Sequence, residues 1–151
     1  MTVEQLVSSG LYNVIDNTDS SLGVTLQGTF SNDLILASDA GNTISGRAGD
    51  DCIIGGAGND IINGNLGSDM IFGQDGNDTL VGGFGNDAIY GGDGNDSISG
   101  QPGNDIIRGQ SDDDYLRGGI GNDLIDGGTG EDTCISDRRD RAPAIRCEFS
   151  E

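Results

Sequence analysis

The chain has no histidine, no lysine and no tryptophan, and all seven of its basic residues are arginine. Without histidine there is no Ser-His-Asp or Cys-His catalytic arrangement and no imidazole-bound zinc. Without lysine there is neither Schiff-base chemistry nor a P-loop. No apolar run reaches the roughly 18 residues that a membrane-crossing helix needs, so no transmembrane segment is expected. The opening residues MTVEQLVSSG lack the basic and apolar regions of a secretory signal. Export would therefore use another route, a signal already removed, or a longer parent chain. Seven Arg face 26 Asp and Glu, a formal charge of −19. Such acidity excludes nucleic acid as a partner, because a polyanion is bound through a basic footprint.

What the chain does have is glycine, 28 of its 151 residues. Glycine with high net charge reads as disorder unless it is periodic, and here it is periodic. From Gly46 to Ile135 the sequence runs through ten nonapeptide units without an insertion. Position 1 is always Gly: Gly46, Gly55, Gly64, Gly73, Gly82, Gly91, Gly100, Gly109, Gly118 and Gly127. Position 4 is Gly except at Asp112. Position 6 is always Asp: Asp51, Asp60, Asp69, Asp78, Asp87, Asp96, Asp105, Asp114, Asp123 and Asp132. Position 8 is Ile or Leu except at Cys134. Residues 28–36 and 37–45 continue the register in degenerate form, with Asp33 and Asn42 at position 6 and Ile35 and Ile44 at position 8.

Each column has a physical reading. Glycine at positions 1 and 4 permits positive φ and close backbone approach, so positions 1 to 6 read as a tight turn. The last three positions favour Ile, Leu, Val and aromatics and read as a short strand whose position 8 points inward. Two turn-strand units make one coil, and stacked coils make a parallel all-β solenoid.

These units resemble the RTX, or haemolysin-type, calcium-binding nonapeptide G-G-x-G-x-D-x-U-x. The resemblance implies a right-handed parallel β-roll with two repeats per coil and Ca²⁺ held between successive turns on each edge. It also implies that the position-6 carboxylates and turn carbonyls at Gly46, Gly55, Gly64, Gly73, Gly82, Gly91, Gly100, Gly109 and Gly118 supply the ligands. Alternate Asp residues then fall into two columns, Asp51, Asp69, Asp87, Asp105 and Asp123 on one edge and Asp60, Asp78, Asp96, Asp114 and Asp132 on the other. At a strand spacing of about 4.8 Å, like charges in a column repel unless a cation bridges them. Four gaps per edge give about eight Ca²⁺, which would bring the charge from −19 to about −3. A turn alone would accept Asn or Ser at position 6, as position 5 does, whereas position 6 holds Asp throughout. The turn around Asp112 and the degenerate units at Asp33 and Asn42 are the weakest sites. One inward side chain per nonapeptide is a thin core against the entropy of ordering the chain. The calcium-free chain is therefore expected to be largely disordered and to fold on binding.

The expected organisation is an N-terminal cap over residues 1–27, the roll over 28–135 and an Arg-rich cap or tail over 136–151. Residues 2–7 read as a short helix, and Leu22, Val24 and Leu26 as a first strand. Arg138, Arg139, Arg141 and Arg146 lie against the acidic roll or in a solvated tail. A Cys134–Cys147 disulfide over the open end is the preferred reading, with two reduced thiols as the other, and it suits an extracellular setting. Cys52 reads as free, or as a link between molecules. The outward positions of one sheet are apolar at eight of ten, Ile54, Met70, Phe72, Tyr90, Ile106 and Leu124 among them. That strip marks a homodimer face or a contact with another protein or surface, unless it reflects β-propensity or cover by the N-terminal segment.

The functional expectation is a non-enzymatic, secreted or cell-surface calcium-binding roll with a structural or adhesive role. An accessory module of a larger secreted RTX enzyme or toxin is the alternative. Ice binding is a weaker one, because position 3 has a single Thr, at Thr129. No HExxH or GxSxG motif is present.

Overall fold

A computed structural model describes residues 12–135 and Cys147. Its described strands form two parallel seven-stranded sheets. One sheet stacks β1 (Asn13–Asp16), β3 (Asp33–Leu36), β5 (Cys52–Ala57), β7 (Met70–Asp75), β9 (Ala88–Asp93), β11 (Ile106–Ser111) and β13 (Leu124–Thr129). The other stacks β2 (Thr25–Gln27), β4 (Thr43–Ala48), β6 (Ile61–Leu66), β8 (Thr79–Phe84), β10 (Ser97–Pro102), β12 (Tyr115–Ile120) and β14 (Thr133–Ile135). Each coil gives one strand to each sheet, which is the β-solenoid expected from the repeat. From β2 onward, strand partners lie two repeats apart, as in Ile53↔Ile71 and Ile62↔Leu80. The pairing of β1 with β3 is wider, as in Val14↔Leu34, so two additional residues sit in the connection after β1.

The core is a single file. Ile35, Ile53, Ile71, Ile89, Ile107 and Ile125 come from one sheet, and Ile44, Ile62, Leu80, Ile98, Leu116 and Cys134 from the other, all buried. Ile and Leu fill this file at close packing, which accounts for their prevalence at position 8, and Cys134 ends it. Both sheets begin before residue 28, since β1 and β2 extend them and Ile15 and Leu26 pack against the core. The expected helix over 2–7 and the four C-terminal Arg residues lie outside the described residues.

Strands β4 to β13 are longer than the three residues expected, running from position 7 through position 3 of the next unit. In the ten regular units the chain turns at position 2, where every residue has a positive φ. Glycine takes it at Gly56, Gly83, Gly92, Gly119 and Gly128, and longer side chains take it at Arg47, Asn65, Gln74, Gln101 and Gln110. No β-branched residue occupies that column in those units, because its Cβ substituents exclude the left-handed region. Asp112, the exception at position 4, keeps the turn with φ 72°. Its Oδ2 accepts the Gly94 N–H at 3.1 Å, so the exception carries its own compensation.

Because position 3 belongs to the strand, it adds a further outward column. On the side of the second sheet that column is Phe30, Ala48, Leu66, Phe84, Pro102 and Ile120, with Phe84 61% exposed. The strip expected on the first sheet is more covered: Ile54, Phe72, Tyr90 and Leu124 are half-buried, and Phe72 stacks on Tyr90 at 5.0 Å. Met70 and Ile106 are its exposed members. The described strands of the second sheet contain no Asp or Glu, whereas the first carries Asp16, Asp33, Asp75, Asp93 and Asp126. The outer apolar surface is thus shared between the sheets, with the more exposed part on the acid-free one.

Cys134 and Cys147 form a disulfide, with Cα atoms 5.6 Å apart, and Cys147 packs against the last core position. Cys52 is a half-buried free thiol. Closing a loop of 13 residues restricts the unfolded chain by about 3 kcal/mol. Cys147→Ser is therefore expected to lower unfolding stability by about 2–3 kcal/mol in urea at saturating calcium. An unchanged midpoint would show that the tail adds nothing to the end of the roll.

Candidate metal centre

In the ten regular units position 6 is the last residue before the strand, two residues ahead of the inward position 8, so the strand alternation turns its side chain inward as well. All ten repeat Asp residues are at most 3% exposed. Burying ten carboxylates in a roll with so little basic charge is costly unless each is satisfied.

One oxygen of each carboxylate is satisfied by the fold itself. The backbone N–H of Asp51 donates to Oδ1 of Asp69, Asp69 to Asp87, Asp87 to Asp105, and Asp105 to Asp123, at 2.8–2.9 Å. On the other edge Asp60 donates to Asp78, Asp78 to Asp96, Asp96 to Asp114, and Asp114 to Asp132, at 2.8–3.0 Å. These are the two columns expected from the spacing. A second ladder runs the opposite way along position 5, a column that reads in the sequence as turn residues only. Asn59 Oδ1 accepts the Asn77 N–H, and Asn77 Oδ1 accepts the Asn95 N–H, both at 2.9 Å. On the facing edge Asp50, Ser68, Asn86 and Asn104 do the same for the coil that follows each. Any short acceptor serves there, which is why position 5 varies while position 6 does not.

The other carboxylate oxygen has no such partner. Oδ2 of Asp51, Asp60, Asp69, Asp78, Asp87, Asp96, Asp105, Asp114 and Asp132 is buried and accepts no hydrogen bond. Each of these, Asp132 apart, lies against the position-1 glycine of its own unit: a Cβ on Gly46, Gly55, Gly64, Gly73, Gly82, Gly91, Gly100 or Gly109 would run into it. Asp123 Oδ2 stands in the same relation to Gly118. For most of these glycines the same Cβ would also meet the carbonyl oxygen of the position-1 glycine one coil on, such as Gly64 above Gly46 or Gly73 above Gly55. Space, not positive φ, is thus what position 1 requires, since none of these glycines adopts a left-handed conformation.

The electrostatics follow from this packing. Burial, foremost, pushes the Asp51 carboxyl up to about 6 and those of Asp69, Asp78, Asp96, Asp105 and Asp114 up to about 7. The ladder N–H opposes that rise, and the neighbouring carboxylates in the column add to it. Asp60 and Asp87 shift in the same direction for the same first reason.

A buried, unpartnered carboxylate oxygen beside a backbone carbonyl, in a space without hydrogen-bond donors, fits a hard cation that prefers oxygen. Calcium is such a cation, and from Asp51 to Asp114 the repeat carboxylates present it with oxygen. Among the described residues no three acidic or thiol side chains converge on one point. The backbone carbonyls beside these carboxylates, such as Gly64 O near Asp51 Oδ2, are further oxygens that a cation there would meet. A family model described as RTX calcium-binding nonapeptide repeat (4 copies) matches residues 25–51, 36–71, 63–98, 72–107 and 99–134. No curated protein matches the chain.

Proposed function

Because the chain belongs to the RTX calcium-binding nonapeptide repeat family, we propose that it is a structural or adhesive β-roll of the extracellular space that folds as it takes up about eight Ca²⁺. Calcium binding itself is supported by the family and by the buried Asp ladder. The observation that carries the reading is the file of buried Oδ2 atoms, repeated from unit to unit, which the protein leaves without a hydrogen-bond donor. Bound calcium supplies the positive charge that lets neighbouring carboxylates remain ionised within one column. The chain's own groups do the rest. Oδ1 fixes the coil spacing through the ladder, Oδ2 and the position-1 carbonyl face the site, and the glycine keeps that space clear.

A role in catalysis is not part of this reading, and no catalytic family matches. Among the described residues no helix is long and apolar enough to cross a membrane. A setting outside the cytoplasm suits the scheme, since a roll that needs millimolar calcium stays unfolded where calcium is scarce.

The stoichiometry tests the proposal. Titration calorimetry or native mass spectrometry is expected to count about eight Ca²⁺ per chain. Asp87→Asn, which alters a carboxylate shared by two gaps, is expected to lose about two of them. A wild-type count near zero would overturn the function, and an unchanged count in the variant would overturn the assignment of ligands.

A further inference from the structure

The degenerate unit at residues 37–45 carries Asn where every regular unit carries Asp, and its surroundings show what that exchange does. Asn42 Oδ1 accepts the Val24 N–H at 3.3 Å, which continues the ladder to the coil before it. The same oxygen accepts the Ser38 hydroxyl at 3.3 Å. Asn42 Nδ2, the atom that corresponds to the unpartnered Oδ2 elsewhere, donates to Ser38 O at 2.9 Å and to Ala40 O. It also reaches Asp60 Oδ1 at 3.2 Å and Gly55 O at 3.4 Å. One nitrogen thus meets the carbonyls of positions 2 and 4 of its own unit, the position-1 carbonyl of the next coil and a carboxylate oxygen of the next Asp. Asn42 is 3% exposed, so water does not complete the set.

The opposite edge of this coil is satisfied in a similar way. Asp33 accepts the Thr29 N–H at 2.6 Å, and the Thr29 hydroxyl lies 3.1 and 3.2 Å from its two oxygens. Asp33 therefore has local donors where the regular units have a bare Oδ2.

We propose that the Asn42 side-chain amide stands in for a calcium ion at the N-terminal end of the roll, so that this coil is closed by the protein's own hydrogen bonds and takes no metal there. The inference rests on the calcium reading above. Its physical basis is that a tethered N–H donor satisfies the converging oxygens without adding a carboxylate that a cation would have to neutralise. The β3–β4 coil then provides a metal-free base against which the metal-dependent coils stack, and Asn42→Asp converts it into one more calcium site.

The test compares Asn42→Asp and Asn42→Ala with the wild type by native mass spectrometry and by thermal unfolding across calcium concentrations. Asn42→Asp is expected to bind one Ca²⁺ more than the wild type. It is expected to melt below the wild type at low calcium and to regain the wild-type melting temperature at saturation. Asn42→Ala is expected to keep the wild-type ion count and to melt several degrees lower at every calcium concentration that folds the wild type, having neither the amide nor a carboxylate. Equal counts in Asn42→Asp and wild type overturn the inference. So does an Asn42→Asp chain that stays unfolded at millimolar calcium, since the cation is then unable to replace the amide. A wild-type chain that binds no calcium overturns the reading beneath it, and this inference with it.

Discussion

Stripped of calcium near pH 7.5, the chain is expected to lose its β-sheet circular dichroism and to recover it cooperatively as calcium is added. Proportion is the reason. Each coil orders two nonapeptides around two inward side chains, one from each sheet. A regular coil also buries two carboxylates, such as those of Asp69 and Asp78, whose Oδ2 atoms find no donor. Backbone order costs on the order of 1–2 kcal/mol per residue, so a core this thin has little margin for unneutralised buried charge. Because each Asp donates its N–H to the carboxylate of the next, loss of one site loosens its neighbours, and the transition is expected to be steep. Magnesium is expected to fail, because it holds its waters and demands a tight octahedron that a carbonyl-lined gap does not supply. A β spectrum unmoved by chelation would mean that the two ladders alone hold the roll.

Acid is expected to do part of what calcium does. The folded carboxyls of Asp69, Asp78, Asp96, Asp105 and Asp114 stand at about 7, against an ordinary value of 3.8 for an Asp free of the fold. Between those values the folded chain holds more protons than the unfolded one, so its stability falls as pH rises. The contribution is complete below about pH 4 and is lost as pH climbs through about 6 to 7. Metal-stripped protein is therefore expected to show more β structure near pH 4 than near pH 7.5, measured by circular dichroism in calcium-free buffer. In the calcium titration the midpoint is expected to move to higher calcium as pH drops from about 7.5 to 5, because protons compete for the same oxygens. A metal-free roll that gains order with rising pH would show that the buried carboxylates are not what limits it.

The repeat makes much of this legible in advance. The solenoid, the two-repeat register, the inward file of Ile and Leu and the two Asp columns follow from a nonapeptide period read against strand alternation. The Cys134–Cys147 disulfide, preferred in the sequence over two reduced thiols, is formed in the structure. Strand length is less legible. Position 2 mixes Gly with Asn, Gln and Arg, which looks like a loop, yet it is a left-handed corner within each extended segment. The outward faces are hidden for the same reason, since position 3 reads with the turn. Splitting that column by sheet separates Phe84 and Ile120 from Asp75 and Asp93.

The sequence by itself determined which atoms recur and at what interval, because a strict period leaves one stacking register. It did not determine what each atom meets. That position 1 must be Gly to clear the Asp oxygen, that position 5 is an acceptor for the following coil, and that Asn42 fills its own site with an amide nitrogen were decided only by the fold. Each of these depends on a neighbour elsewhere in the same unit or one full coil away, at a distance set by the stacking of coils. Residue identity at one position carries no record of that separation; only the closed coil brings the partners together.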